Sequence, residues 1–202
     1  MSTGSIDTSP VLDTLRAAVP DAAIDGLPSI DMPTFVVGRE HLLEVCRTLR
    51  DHPALQFAFL ADVIGVDRLP AEPRFEVVYH AACLGPASGA GAPARRVRFK
   101  VQLAADDGWV PSVVGIWPTA NWLEREIFDL LGLVFDGHPD LRRVLMPDDW
   151  QGHPLRKDYP VQIRKDTATW SPLQVSVEEF AENMRRRREE ATRQAQSPHG
   201  DA

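Results

Sequence analysis

Arg95-Arg96-Val97-Arg98-Phe99-Lys100-Val101-Gln102-Leu103 alternates without a break, placing Val97, Phe99, Val101 and Leu103 on one side and Arg96, Arg98, Lys100 and Gln102 on the other. A period of two belongs to a β-strand with one face on a core and one toward water, the pattern of an antiparallel pair. The basic side is most simply a solvated surface, although strand-borne Arg and Lys also suit an acidic partner. Upstream, residues 75–84 form an apolar run, and residues 85–94, built from Gly, Ala, Pro and Ser, read as the long loop of that hairpin. Residues 55–60 supply another apolar run. Phe35-Val36-Val37 reads as a strand, and Leu42, Val45, Cys46 and Leu49 then recur at helical spacing, the stripe of a helix packed on a sheet. The expected fold is therefore α+β: a mixed, largely antiparallel β-sheet with helices packed on it, followed by an irregular Pro-rich C-terminal extension.

Outward from this core, Ser9-Pro10 ahead of Val11, Leu12, Leu15 and Ala18 reads as an N-cap and first-turn proline of a short amphipathic helix closed before Pro20. A Pro- and Asp-rich loop is expected from there to Pro33. Asn121 followed by Glu124 has the form of a capping box, with Leu123, Ile127, Leu130 and Leu131 as an apolar stripe that Gly132 ends. Asp136-Gly137 then opens an irregular stretch to Pro160 that still carries Leu141, Val144, Leu145, Met146, Trp150, Leu155 and Tyr159. So many anchors require a surface to pack on. Ser176 and Glu179 suit the start of a last helix with Val177, Phe180, Ala181 and Met184 on its face, before a polar end containing residues 185–188. The resulting division is 1–32, a helix and loop; 33–135, the core with the helix at 121–131; 136–165, an interface segment; and 166–202, a tail.

With 202 residues the chain suits one domain with tails. Its 22 Lys and Arg against 29 Asp and Glu give a net charge of -7, which argues against a general affinity for nucleic acid or anionic lipid. No apolar run approaches the ~20 residues of a membrane span, and the polar start lacks a secretory pattern. A cytoplasmic protein that reaches a membrane only through partners is expected. Cys46 and Cys83 lack CxxC spacing and read as reduced, buried thiols, neither with a local basic partner to activate it. A phosphate-cradling glycine loop and a GxSxG motif are both absent from the sequence.

The charged cluster Glu124-Arg125-Glu126, Asp129, His138, Arg142 and Arg143 invites chemistry. Glu124 and Glu126 point about 160° apart on a helix, so they cannot flank one scissile bond. Arg125 and Asp129 are spaced to pair along the helix, while Glu126 and Asp129 repel unless Arg142 or Arg143 comes between them. A structural ion network is the leading reading, with the variant that it faces a partner subunit. Asp129, His138 and His153 also admit a metal-dependent hydrolase, although each histidine precedes a proline and suits a local turn better. His80 and Cys83 fall on opposite strand faces and are poor co-ligands. Trp109, Trp117 and Trp122 read as packed indoles, whereas Trp150, Arg156 and Tyr159 are residue types that dominate interface hot spots.

The ordered run from Ala120-Asn121-Trp122-Leu123-Glu124-Arg125-Glu126 through Phe135-Asp136-Gly137-His138-Pro139-Asp140-Leu141-Arg142-Arg143 to Met146-Pro147-Asp148-Asp149-Trp150-Gln151-Gly152-His153-Pro154-Leu155-Arg156-Lys157-Asp158-Tyr159-Pro160 resembles the 30 kDa subunit family of proton-pumping NADH:quinone oxidoreductases, respiratory complex I. Gly65-Val66-Asp67 and Val110-Pro111-Ser112-Val113 are similar to its upstream pattern. The resemblance implies a non-redox subunit of the peripheral arm, on the cytoplasmic side of the cell membrane. It further implies no cofactor in this chain, with NADH, FMN, iron–sulfur clusters and quinone handled by partner subunits. Glu124, Arg125, Glu126, Asp129, His138, Arg142, Arg143, Trp150, Arg156, Asp158 and Tyr159 are then the motif and partner-interface candidates. The chain would hold its neighbours in register, with the Pro-rich segment wrapping across partner surfaces. A homologous subunit of a membrane-bound hydrogenase is the related alternative.

Overall fold

A computed structural model describes residues 9–85 and 95–160, together with Glu182, Arg185 and Arg186, which are helical. The loop expected over 85–94, beyond Gly85 itself, and most of the C-terminal helix and tail lie outside the described residues. The chain divides at Pro160, and the elements and contacts described below belong to the first unit.

Five strands form one sheet: β1 (Ile24–Leu27), β2 (Thr34–Val37), β5 (Arg95–Leu103), β4 (Phe75–Cys83) and β3 (Phe59–Asp67), in that spatial order. β2 runs parallel to β5 and every other pairing is antiparallel, as the sequence leads one to expect. The alternating residues of β5 and β4 decide which face is buried. Val97, Phe99 and Val101 join Val77, Tyr79 and Ala81 in the core together with Leu15 of α1 (Ser9–Ala18), Leu42, Val45 and Leu49 of α2 (Leu42–Asp51), and Ile127 and Leu131 of α3 (Ala120–Leu131). The register aligns Phe35, Phe99 and Tyr79 across three strands, and their rings stack at 5.7 and 4.8 Å. Rings at that spacing add directional attraction to the area they bury.

The opposite face of the sheet carries polar groups, several of which pair with one another. Arg98 donates to Asp31 at 2.6 Å and to His80 at 2.9 Å, while buried Glu76 accepts from Arg68, Lys100 and Gln102. Arg98 and Lys100 are thus matched by this chain's own acids, whereas Arg96 makes no ion pair or hydrogen bond among the described residues. Arg95, opposite Cys83 in the β4–β5 register, brings a guanidinium to 3.6 Å from that thiol. Burial raises the Cys83 pKa, but the Gly85 amide and Arg95 outweigh it and the net shift is downward. The basic partner absent from the local sequence is supplied across the hairpin.

Two expectations fail for physical reasons. The stretch before Pro33 contains β1, which is only four residues long and lacks a readable period. The apolar run at 55–60 is mostly not strand: Gln56 sits at φ 54, Leu55 and Phe57 are buried as loop, and β3 starts at Phe59. β3 is an edge strand with a register shift between Leu60 and Asp62, which breaks its alternation. A short parallel pair, β6 (Trp109–Pro111) with β7 (Val134–Asp136), brackets α3 in the chain.

Gly65 of β3 sets how closely α3 approaches the sheet. A Cβ there would lie 2.5 Å from Leu131 Cδ1 and 2.9 Å from Ile127 Cγ2. Gly65→Val is therefore expected to destabilise the fold by roughly 1–3 kcal/mol through overpacking, read as a lower urea midpoint. An unchanged midpoint would mean that α3 is not held against β3.

Candidate functional site

α3 begins after Thr119, which makes no side-chain cap, and ends at Gly132 in the left-handed conformation at φ 74. The expected capping box does not form. Glu124 turns inward instead, because an apolar helix face leaves it no route to water, and accepts from Ser112 Oγ at 2.6 Å and the Val113 amide at 2.7 Å. Burial pushes its carboxyl up to about 7, an effect that these two donors only partly offset.

Arg125 is also buried, yet it does not pair with Asp129 as its spacing suggests. It donates to the carbonyls of Arg142 at 3.1 Å and Arg143 at 3.2 Å, and its guanidinium lies 4.9 Å from the centroid of the Trp122 ring. Asp129 has stronger suitors. Its Oδ2 accepts from the consecutive amides of Val144, Leu145 and Met146 at 2.9, 2.7 and 2.8 Å, and Oδ1 accepts from Arg143 at 2.7 Å. Full burial by itself raises the pKa, but the Met146, Leu145 and Val144 amides and Arg143 win and hold it at about 2. Arg143 reaches on to the carbonyls of Trp150 and Gly152, both at 3.1 Å.

The last carbonyls of α3 are claimed by the same segment. His153 Nδ1 donates to Asp129 O at 2.9 Å, Leu155 N to Leu130 O at 3.0 Å, and Arg156 Nε to Leu131 O at 2.9 Å. Those three carbonyls lack partners within the helix, and the Leu155 amide supplies one of them from the returning chain. A side chain at Gly132 would collide with His153 at 2.5 Å, so glycine serves both the helix turn and this close return.

A second buried carboxylate holds the end of the segment. Asp67, at the end of β3, accepts from Arg74 at 3.0 and 2.8 Å and from the amides of Leu69 and Lys157, both at 2.9 Å. Its pKa is driven far down, chiefly by the Arg74 guanidinium. Arg74 also binds Asp158 at 2.8 Å, Arg156 lies over the Phe75 ring, and Tyr159 donates to Gln151 O at 3.0 Å. Residues 137–160 therefore fold back on their own domain between two clasps, which supplies the packing surface that their anchors require.

Other candidates fall outside these clasps. Glu126 is exposed and makes no ion pair or hydrogen bond among the described residues, so no arginine mediates between it and Asp129. Arg142 is exposed and pairs with Asp140 at 2.7 Å. His138 donates from Nε2 to Asn121 O at 3.1 Å and accepts the Asp140 amide at Nδ1, the local turn role anticipated for it. Asp129, His138 and His153 do not converge as ligands, and no group of three or more His, Cys, Asp or Glu suited to a metal occurs among the described residues. Trp117 is a packed indole that donates to Phe57 O, but Trp122 is 65 % exposed and Trp109 is partly exposed beneath Arg39. The Trp150 indole N–H is buried without an acceptor among the described residues. Sequence reasoning missed Asp67, Arg74 and Ser112 as members of the site; an acid at a strand end followed by a nearby arginine was the available signal for the first two.

Asp129→Asn is expected to leave Arg143 without its charge partner and to cost roughly 3–5 kcal/mol at neutral pH, measured by urea unfolding. Because the folded-state pKa is depressed, the Asp129 contribution is present above the usual carboxylate range and is lost as pH falls toward about 2. Glu124 has the opposite sign. Its pKa rises from 4.5 to about 7 on folding, so its contribution is complete below 4.5 and is lost as pH rises through about 7. Relative to Glu124→Gln, the wild type should therefore lose roughly 3 kcal/mol over that interval. Parallel pH profiles for the two proteins would contradict the burial of an ionisable Glu124.

Residues 35–165 match the family described as "Respiratory-chain NADH dehydrogenase, 30 Kd subunit". The chain is 46 % identical over 167 residues to the C subunit of NADH-quinone oxidoreductase from Roseiflexus sp. (strain RS-1), covering 83 % of this chain and 92 % of that protein. It is 54 % identical over 129 residues to the corresponding protein of Saccharopolyspora erythraea, covering 63 % of this chain and 49 % of that longer protein. Among solved structures, a trypsin-resistant fragment of Nqo5 superposes with a TM-score of 0.51 at 36 % identity, over 65 % of this chain and 97 % of the fragment. A chain of an archaeal membrane-bound sulfane sulfur reductase shares the fold, with a TM-score of 0.59 at 21 % identity over 75 % of this chain and 85 % of the other. The matched residues contain both clasps and all of α3, and the chain belongs to the 30 kDa subunit family of the respiratory-chain NADH dehydrogenase.

Proposed function

We propose that this chain is a non-redox structural subunit of the peripheral arm of an NADH:quinone oxidoreductase, positioned on the cytoplasmic side of the cell membrane through its partners. NADH, FMN, iron–sulfur clusters and quinone are handled by those partners, and the electron transfer is coupled to proton translocation in the assembled enzyme. The observation that carries this reading is the double clasp of residues 137–160. Glu124, Arg125, Asp129 and Asp67 all direct their polar atoms at this chain's own backbone or side chains, which fixes a surface instead of activating a substrate. That surface displays Trp122, Leu145 and Leu155, large apolar side chains in an ordered setting. Aromatic and aliphatic anchors held in place are what protein interfaces use most effectively.

No helix among the described residues is long and apolar enough to cross a membrane, so the membrane attachment in this reading is indirect. The test is to tag the chain at its native level, solubilise membranes in mild detergent, and separate complexes by native gel. Comigration with NADH:quinone reductase activity and with flavin- and cluster-bearing subunits is expected. A lone species of the chain's own 22.5 kDa would overturn the assignment.

A further inference from the structure

We propose that the groove between β3 and α3 is the docking site for a segment of a partner subunit that presents an apolar side chain next to a lysine or arginine. The inference rests on the subunit role proposed above and assigns it a specific contact. The groove encloses about 190 Å³ and is lined by Asp62, Ile64, Gly65, Glu126, Leu130 and Leu155, among others. Its volume falls below the roughly 300–1,000 Å³ of a small-molecule or cofactor pocket and suits the insertion of a side chain. Its apolar side chains are open to solvent: Leu155 is 60 % and Ile64 39 % exposed. Such exposure is costly in a free chain and is recovered when a partner covers it.

Charge selects the occupant. Asp62 on β3 and Glu126 on α3 line the groove together, and neither makes an ion pair or hydrogen bond among the described residues. Asp67, Asp129, Asp140 and Asp158 are by contrast each bound to an arginine. Asp62 alone could be explained as a charge that guards an edge strand from pairing with another chain. That explanation does not reach Glu126, which belongs to a helix. Two unpaired carboxylates beside an apolar cleft fit a segment with one apolar anchor and an adjacent cation, and the negative potential also favours its approach. The groove itself is firmly built, since Gly65 lets α3 sit close to β3 and the Leu155 amide is tied to Leu130 O.

The experiment compares the wild type with Asp62→Lys/Glu126→Lys and with Leu155→Asp in the native-gel assay, using Asp21→Lys/Asp25→Lys as an equal charge change elsewhere. Thermal melting of each isolated chain checks folding. The groove variants are expected to melt like the wild type and to lose roughly tenfold or more of the chain in the reductase band, while the control variant assembles normally. A photo-crosslinker at position 126 should capture a peptide of a cluster-bearing or quinone-site subunit that contains an apolar residue beside Lys or Arg. Normal assembly of both groove variants would overturn the docking site while leaving the subunit role intact. Absence of the wild type itself from the reductase band would remove the subunit role and the docking proposal with it.

Discussion

The carboxylate of Asp129, buried in the last turn of α3, is the constraint on which the functional half of the molecule depends. An isolated buried carboxylate is prohibitively unfavourable, and this one is tolerated because three consecutive amides and one guanidinium converge on it. The amides of Val144, Leu145 and Met146 can point to one atom only if the chain there curls tightly around it. Arg143, committed to the same carboxylate, then reaches the carbonyls of Trp150 and Gly152 and shapes the next turn. A segment with no helix or strand of its own thus acquires a defined path from one ionised group.

The neighbouring contacts extend this arrangement. Arg125 anchors the start of the segment by two carbonyls, the C-terminal carbonyls of α3 hold residues 153–156, and Asp67 with Arg74 fixes the end. Glu124 faces the other way and secures the strand-to-helix connection at Ser112 and Val113. One short helix therefore positions the chain both before and after it. The ordering entropy of residues 137–160 is spent when the chain folds, so a partner meets a surface that already has its shape. This differs from a disordered segment that acquires its conformation during assembly, and it suits a permanent subunit whose neighbours must be held in register.

The central sheet was legible because β5 and β4 alternate and pair in full, and α2 and α3 carry regular apolar stripes. β1, β6 and β7 were not, since three or four residues contain too few alternations to distinguish strand from loop. Glu124, Arg125 and Asp129 stand in the family motif, but the capping-box form and the spacing along one helix misassigned their partners. Helical spacing paired Arg125 with Asp129, whereas both side chains satisfy backbone groups of a distant segment, and such tertiary hydrogen bonding leaves no periodic trace. Asp67 was noted only as part of the upstream family pattern, and its role was hidden for the same reason: its partner Lys157 amide lies 90 positions away in sequence. The turn role expected of both histidines fared better for His138 than for His153, whose ring binds Asp129 O 24 positions away. His138 binds within its own turn and to Asn121, a local geometry that the following proline already suggests.

Native-state hydrogen exchange at the Val144, Leu145 and Met146 amides of the isolated chain tests most directly whether Asp129 builds this surface before any partner arrives. Protection approaching that of the β4–β5 core amides in the wild type, with selective loss in Asp129→Asn, is the predicted result. Exchange of those amides at unprotected rates in the wild type, with the core still protected, would contradict a preformed surface and place the ordering of residues 137–160 in the assembly step.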